Sequence, residues 1–244
     1  LTDAGHNLTT VQHPVMVTDA SMTFSFIPGA KIRAGLFKLP TGEEALVSNP
    51  VAYSYVYYSA VTSALVQETF YRDVAGTPAG CTALAGATTL DCGKAVAGNN
   101  AFRDWGIQVF DSFRKDNWEF GYAAMLSNGN EIENLSDNNS EKDFTARLQL
   151  SYVFKGKGPL REDANVFLWR QSGERSYGGT DHDRIREGIG YRVTKGPFRT
   201  SGEYIRADGM VAGGPNPPVL PASGNLEPPY NLNLAPDGKA DGWY

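Results

Sequence analysis

The sequence predicts an all-β protein, a transmembrane antiparallel up-and-down β-barrel. Three observations predict it. Segments of about ten residues alternate apolar and polar side chains with period two. Short turns and long polar connections join these segments in strict alternation. Although 41% of the 244 residues are hydrophobic, none of the apolar stretches is long enough to cross a bilayer as a helix. A barrel strand needs only about ten residues, half of which face a polar lumen, so modest overall polarity fits.

The first strand is ASMTFSF, Ala20 to Phe26, with Met22, Phe24 and Phe26 on one face and Thr23 and Ser25 on the other. Ile27-Pro28-Gly29-Ala30 supplies turn chemistry. KIRAGLFKL then sets Ile32, Ala34 and Leu36 against Lys31, Arg33, Gly35 and Phe37, closing a tight hairpin. A long excursion from Pro40 to Ala101 follows, carrying TGEE, an aromatic stretch and both cysteines. Connections longer than about 15 residues inside a compact unit are usually functional or disordered, and this one has aromatics enough to pack on something.

RDWGIQVFDS and WEFGYAAML form the next hairpin around FRKDN, with Trp105, Ile107, Val109, Trp118, Phe120, Tyr122, Ala124 and Leu126 outward and Asp104, Gln108, Glu119 and Gly121 inward. The cleanest alternation is DFTARLQLSYVF. Phe144, Ala146, Leu148, Leu150, Tyr152 and Phe154 share one face and Thr145, Arg147, Gln149 and Ser151 the other. ANVFLWRQS reads as the return strand, but its four consecutive apolar residues leave its facing open. A polar loop, GERSYGGTDHD, leads to RIREGIGYRV, in which Ile185, Ile189, Tyr191 and Val193 oppose Arg184, Arg186, Gly188, Gly190 and Arg192. Glu187 falls on the outward face, where it fits only near a rim. TKGP turns the chain into FRTSGEYIRAD, with Phe198 and Tyr204 outward and Arg199, Ser201 and Glu203 inward. After a Pro/Asn/Gly-rich stretch, KADGWY opens one more strand.

Short turns at Pro28, Lys115, Gly158 and Gly196 fall on one rim and four long connections on the other, the asymmetry of outer-membrane barrels. Trp105, Trp118, Tyr152, Phe154 and Tyr191 near strand ends suit an aromatic girdle. Inward basic residues Lys31, Arg33, Arg147, Arg184, Arg186, Arg192 and Arg199 outnumber the inward acids Asp104, Glu119 and Glu203. A lumen so lined favours small anions, even though the whole chain carries a net charge of −5. That acidic balance argues against nucleic acid as a partner.

The only cysteines, Cys81 and Cys92, read as a local disulfide, worth roughly 2 to 3 kcal/mol by restricting the unfolded loop and requiring an oxidising compartment. Two unpaired thiols are the alternative. His6, His13 and His182 lack metal-site spacing, and His182 in TDHDR reads as a solvated loop residue. DNNSEKD lacks the glycine and terminal glutamate of an EF-hand loop. No metal, cofactor or catalytic constellation is expected, and an enzyme is not. The chain starts at Leu1 without a signal sequence before it, so it reads as processed or incomplete.

Four stretches carry a family resemblance: KIRAGLFKLPTGEEALVSN, RDWGIQVFDSF, WEFGYAAMLSNGN with NNSEKDFTARLQLSYVF, and the terminal KADGWY. Gly35, Phe37, Lys38 and Pro40, then Arg103, Asp104 and Gly106, then Asn128, Gly129 and Asn130 carry its short motifs. In these the chain resembles the phosphate-selective porins of the O and P type. The resemblance implies a barrel of about sixteen strands in the bacterial outer membrane, in contact with its lipid, usually trimeric and passing small solutes by diffusion. It also implies that a single domain, residues 1–244, carries an inserted loop at about 41–101 that narrows the pore, with Tyr53, Tyr55, Tyr57, Tyr58, Glu68 and Arg72 as its candidate residues. This loop is longer than the family's, holds the cysteine pair and lacks a basic cluster between Tyr53 and Phe70. With eight strands and the opening of a ninth, and bacterial barrels even-numbered and without free edges, the chain reads as an incomplete portion of the barrel. Two other readings fit the pattern: a sleeve for a partner such as an electron-carrying protein, which would not conduct ions, and a soluble β-rich surface-binding module, which would stay monodisperse without detergent.

Overall fold

The computed structural model describes residues 19–47, 58–66, 69–70, 82–83, 90–91, 96–97, 102–129, 140–157, 161–177, 180–213 and 233–244. Among these, nine strands form one antiparallel sheet: β1 (Ala20–Ile27), β2 (Ala30–Lys38), β3 (Arg103–Lys115), β4 (Trp118–Ser127), β5 (Asp143–Lys155), β6 (Glu162–Tyr177), β7 (Thr180–Lys195), β8 (Phe198–Asp208) and β9 (Lys239–Trp243). Spatial order follows chain order throughout, the up-and-down topology that the loop pattern predicts. The sheet is open, since β1 and β9 each pair with a single neighbour. No helix among the described residues is long and apolar enough to cross a membrane.

Two-residue turns close three of the hairpins, and each contains a residue with left-handed backbone: Gly29, Asp116 or Gly196. Glycine takes that conformation without a Cβ penalty and aspartate tolerates it, so the register of each hairpin is set locally. At the opposite rim the structure departs from the expected four long connections. GERSYGGTDHD is not a loop: β6 and β7 go on pairing through Glu174 with Asp183 and Arg175 with His182, up to Tyr177 with Thr180. Backbone pairing needs no apolar alternation once the strands leave the buried zone, which is why an all-polar stretch could hide two strand ends. His182 therefore stands on a strand, with its Nδ1 3.1 Å from Asp237. The connections from β2 to β3, β4 to β5 and β8 to β9 are long, and the last includes a ribbon pairing Val211–Gly213 with Asn233–Ala235.

The two faces of the sheet are inverted relative to a water-soluble sandwich. On β5, Phe144, Leu148, Leu150 and Phe154 are exposed, whereas Thr145, Arg147 and Ser151 are buried. The same holds on β6, where Val166, Leu168 and Arg170 are exposed and Asp163, Asn165 and Gln171 are buried. Period two persists through the stretch whose facing the sequence left open, because Phe167 and Trp169 point to the polar face and are buried there. Exposed Phe24, Ile107, Trp118, Phe120, Tyr191, Phe198 and Tyr204 continue the apolar face around the sheet. Leu36 differs: it lies in register between Ala20 and Trp105 and is buried.

One transverse line of register partners crosses all nine strands: Phe24, Ile32, Val109, Ala124, Ala146, Arg170, Glu187, Arg206 and Asp241. Ile32 is only two residues from the start of β2, but Arg170 is eight residues from the start of β6 and Glu187 eight from the end of β7. The line thus climbs away from the short-turn rim across the sheet, as it must when strands are tilted and staggered. Its last four members are charges of alternating sign on the otherwise apolar face. Arg170 meets Glu187 at 2.5 Å, so Glu187 is paired rather than isolated. Eight residues span about 27 Å of strand, or about 21 Å in height at a tilt near 40°, close to the thickness of a barrel's apolar band.

Candidate functional site

The chain leaves β2 at Lys38 and turns onto the polar face of the sheet. Leu39 donates its N–H to the Phe102 carbonyl at 2.8 Å, and Leu46 donates to Gly42 at 3.1 Å as the short helix α1 (Glu43–Val47) forms. A π-helical turn, Thr62–Val66, lies on the same face. Ser59 joins the two pieces: its N–H and hydroxyl both donate to Glu44, at 3.0 and 2.8 Å.

An apolar patch receives this segment. Ala45, Leu65, Val66 and Phe102 are buried against Phe167 and Trp169 of β6 and Ile205 and Ala207 of β8, with Tyr58 edge-on to Phe102 at 5.0 Å. Each fully buried Leu, Val or Phe contributes about 1.5–3 kcal/mol. Glycines on β7 make the room: Gly188 pairs with Trp169 and Gly190 with Phe167. A Cβ at Gly188 would stand 2.2 Å from Trp169 Nε1 and 2.7 Å from Glu203 Oε1. Gly188→Ala is accordingly expected to cost about 1–3 kcal/mol in denaturant unfolding; an unchanged midpoint would contradict this placement of Trp169.

Around the patch runs a network of buried charge. Glu43 accepts from Arg147 Nη2 at 2.9 Å and from Arg192 Nη1 at 2.6 Å. Arg147 also donates to the Thr41 carbonyl at 2.5 Å. Arg192 reaches Asp163 at 3.4 Å, and Arg161 bridges Asp163 and Glu119 at 2.8 Å each. Burial opposes the charge on Arg161, but those two carboxylates outweigh it and raise its pKa above the usual arginine value. Glu203 accepts from Trp169 Nε1, from the Tyr244 hydroxyl at 2.8 Å and from the Glu43 N–H at 3.1 Å. Thus α1 is held directly by Arg147 of β5, Arg192 of β7 and Glu203 of β8, with Asp163 of β6 behind Arg192.

Of the inward residues expected from the sequence, Arg147, Arg192, Glu119 and Glu203 meet in this network. Arg184 and Arg186, both buried, hold the π-helical turn by donating to the Val66 and Leu65 carbonyls, and Arg186 also caps Gly209 and Met210 at 2.8 Å. Arg199 is exposed beside the Gly196 turn, away from the network. Asp104 is buried and accepts from the N–H groups of Gly129 at 2.6 Å and Trp105 at 2.7 Å. Lys31 pairs with Asp111 at 2.7 Å. Arg33 donates to Thr23 Oγ1 at 3.3 Å and lies over the rings of Phe110 and Phe37. Tyr58 is the one expected loop residue in the packed segment among those described. Tyr53, Tyr55, Tyr57, Glu68, Arg72 and the Cys81–Cys92 pair lie outside the described residues.

Sequence reasoning missed Glu43, Glu44, Asp163, Arg161 and Trp169 as parts of the site. A signal for one partner existed: an inward arginine on a strand bounded by apolar faces needs a buried acceptor, and TGEE is an acidic stretch in the connection that could reach it. No family model matches this sequence, and no curated protein or solved structure was found to be similar to it.

Proposed function

We propose that this chain forms the wall and inner loop of a bacterial outer-membrane porin, a water-filled channel through which small anions diffuse. The observation that carries this reading is the inversion of the sheet: charged and polar residues are buried on one face while Phe, Leu, Ile and Trp cover the exposed one. Lipid is the solvent that such an apolar face matches, and closed sheets are the β-structures that span it. The open nine-stranded sheet is then part of a barrel of about sixteen strands, and closure removes the two free edges. The pieces 39–47 and 58–66, seated on the polar face, narrow the passage. A trimer, the outer-membrane location and the Cys81–Cys92 disulfide belong to the same reading by resemblance to phosphate-selective porins.

Anion preference rests on the strand cations turned to that passage, of which Arg33 has no carboxylate partner among the described residues, because a narrow low-dielectric passage strengthens the field of each uncompensated charge. The complete barrel, folded into a planar bilayer between unequal potassium chloride solutions, is expected to show stepwise currents and a reversal potential of the anion-selective sign. A cation-selective reversal would overturn the preference. Absence of any current would overturn the channel and favour the plugged sleeve.

A further inference from the structure

A cavity of about 570 Å³ opens between the polar face of β1 to β5 and the segment Pro40 to Leu46. Its cations are Lys31, Arg33, Lys38 and Arg147, and its carboxylates are Asp19 and Asp111. Most of this charge is already matched. Lys31 pairs with Asp111 at 2.7 Å, Arg103 with Asp19 at 2.9 Å and Arg147 with Glu43 at 2.9 Å. Lys38 donates to the Leu46 carbonyl at 3.0 Å. Arg33 differs, for among the described residues its only hydrogen-bond partner is a hydroxyl, Thr23 Oγ1, through Nε. Its guanidinium carbon lies 4.8 Å from the ring centre of Phe110 and 5.4 Å from that of Phe37. The rings therefore contact the guanidinium, while among the described residues no carboxylate binds its two terminal nitrogens.

We infer that this cavity is a binding site for small organic carboxylates, held by the terminal nitrogens of Arg33 with the hydrocarbon body against Phe110 and Leu46. A planar guanidinium edge matches a planar carboxylate through two parallel hydrogen bonds. One such edge balances one negative charge. Phe110 and Leu46, both partly exposed on this wall, give the organic remainder an apolar surface that inorganic phosphate cannot use. The volume suits a ligand of a few to a dozen heavy atoms.

This inference rests on reading the polar face as the lumen, and the test separates the two. Sodium butyrate and sodium phosphate are titrated calorimetrically, at constant ionic strength, into the complete barrel folded in detergent micelles. Bilayer current is measured on the same preparation. Saturable butyrate binding is expected, weakened by about tenfold or more in both Arg33→Gln and Arg33→Lys, the second of which keeps the charge but loses the fork. Heat-modifiable gel migration checks that both variants fold, and Arg33→Lys keeps the test open should Arg33→Gln fail to do so. Phosphate binding as tight as butyrate binding, no saturable butyrate binding, or equal affinity in the folded variants would overturn the carboxylate site. Arg33-dependent butyrate binding without current would support the site while overturning the pore. Current without butyrate binding would do the reverse.

Discussion

Leu148→Arg is expected to destabilise the protein by about 2–4 kcal/mol when unfolding is followed by denaturant titration in lipid vesicles. Leu148 is 43% exposed at the middle of β5, and its register partners Tyr122 and Leu168 lie on the same apolar face. An arginine there must enter hydrocarbon if that face meets lipid. In water the same change at an exposed position would fall within about 0.5 kcal/mol of neutral. Ser172→Arg supplies the control, since Ser172 lies on β6 two residues beyond the charged line through Arg170 and Glu187. There the cost is expected to drop to at most about 1 kcal/mol, as at a membrane interface. Equal effects at both positions would contradict the membrane boundary placed at that line.

The second large effect is expected at Glu43. Removing its carboxylate leaves Arg147 and Arg192 without the acceptor they share, and breaking a buried pair from one side costs about 3–5 kcal/mol. Because Glu43 belongs to the inner segment and the arginines to the sheet, that loss falls on the docking of the segment. Glu43→Ala should therefore raise single-channel conductance. It should also expose the Arg147 guanidinium, buried in the wild type, to phenylglyoxal, detected as a modified peptide by mass spectrometry. Unchanged conductance together with an unmodified Arg147 would show that the segment is held by other contacts, chiefly the apolar patch around Trp169.

How legible all this was depended on the range of the interaction. The facing of β5 could be read directly, because Phe144 to Phe154 alternate without exception and a strand's period is a local property. Turn positions at Gly29 and Gly196 were legible for the same reason. β6 was obscured by Phe167 and Trp169, which break the polar rhythm of the inner face to pack a segment arriving from a connection about a hundred residues earlier. The ends of β6 and β7 were hidden because strands in a watery zone carry no apolar signature. Glu43 with Arg147 and Arg192, and Glu203 with Trp169 and Tyr244, are pairings between distant parts of the chain. Period two identifies which inward residues need partners, but not which partners they find.

Spin-label scanning along β5 tests the exposed apolar face most directly. Labels are placed singly from Phe144 to Phe154 in the vesicle-inserted protein, and collision rates are measured with oxygen, which partitions into lipid, and with a water-soluble nickel chelate. Oxygen collisions are expected to peak at Leu148, Leu150 and Tyr152, where nickel collisions should be lowest, and to fall off toward Phe144, which shares the register of Ser172. Nickel maxima at those same positions would contradict the membrane-facing surface and with it the porin.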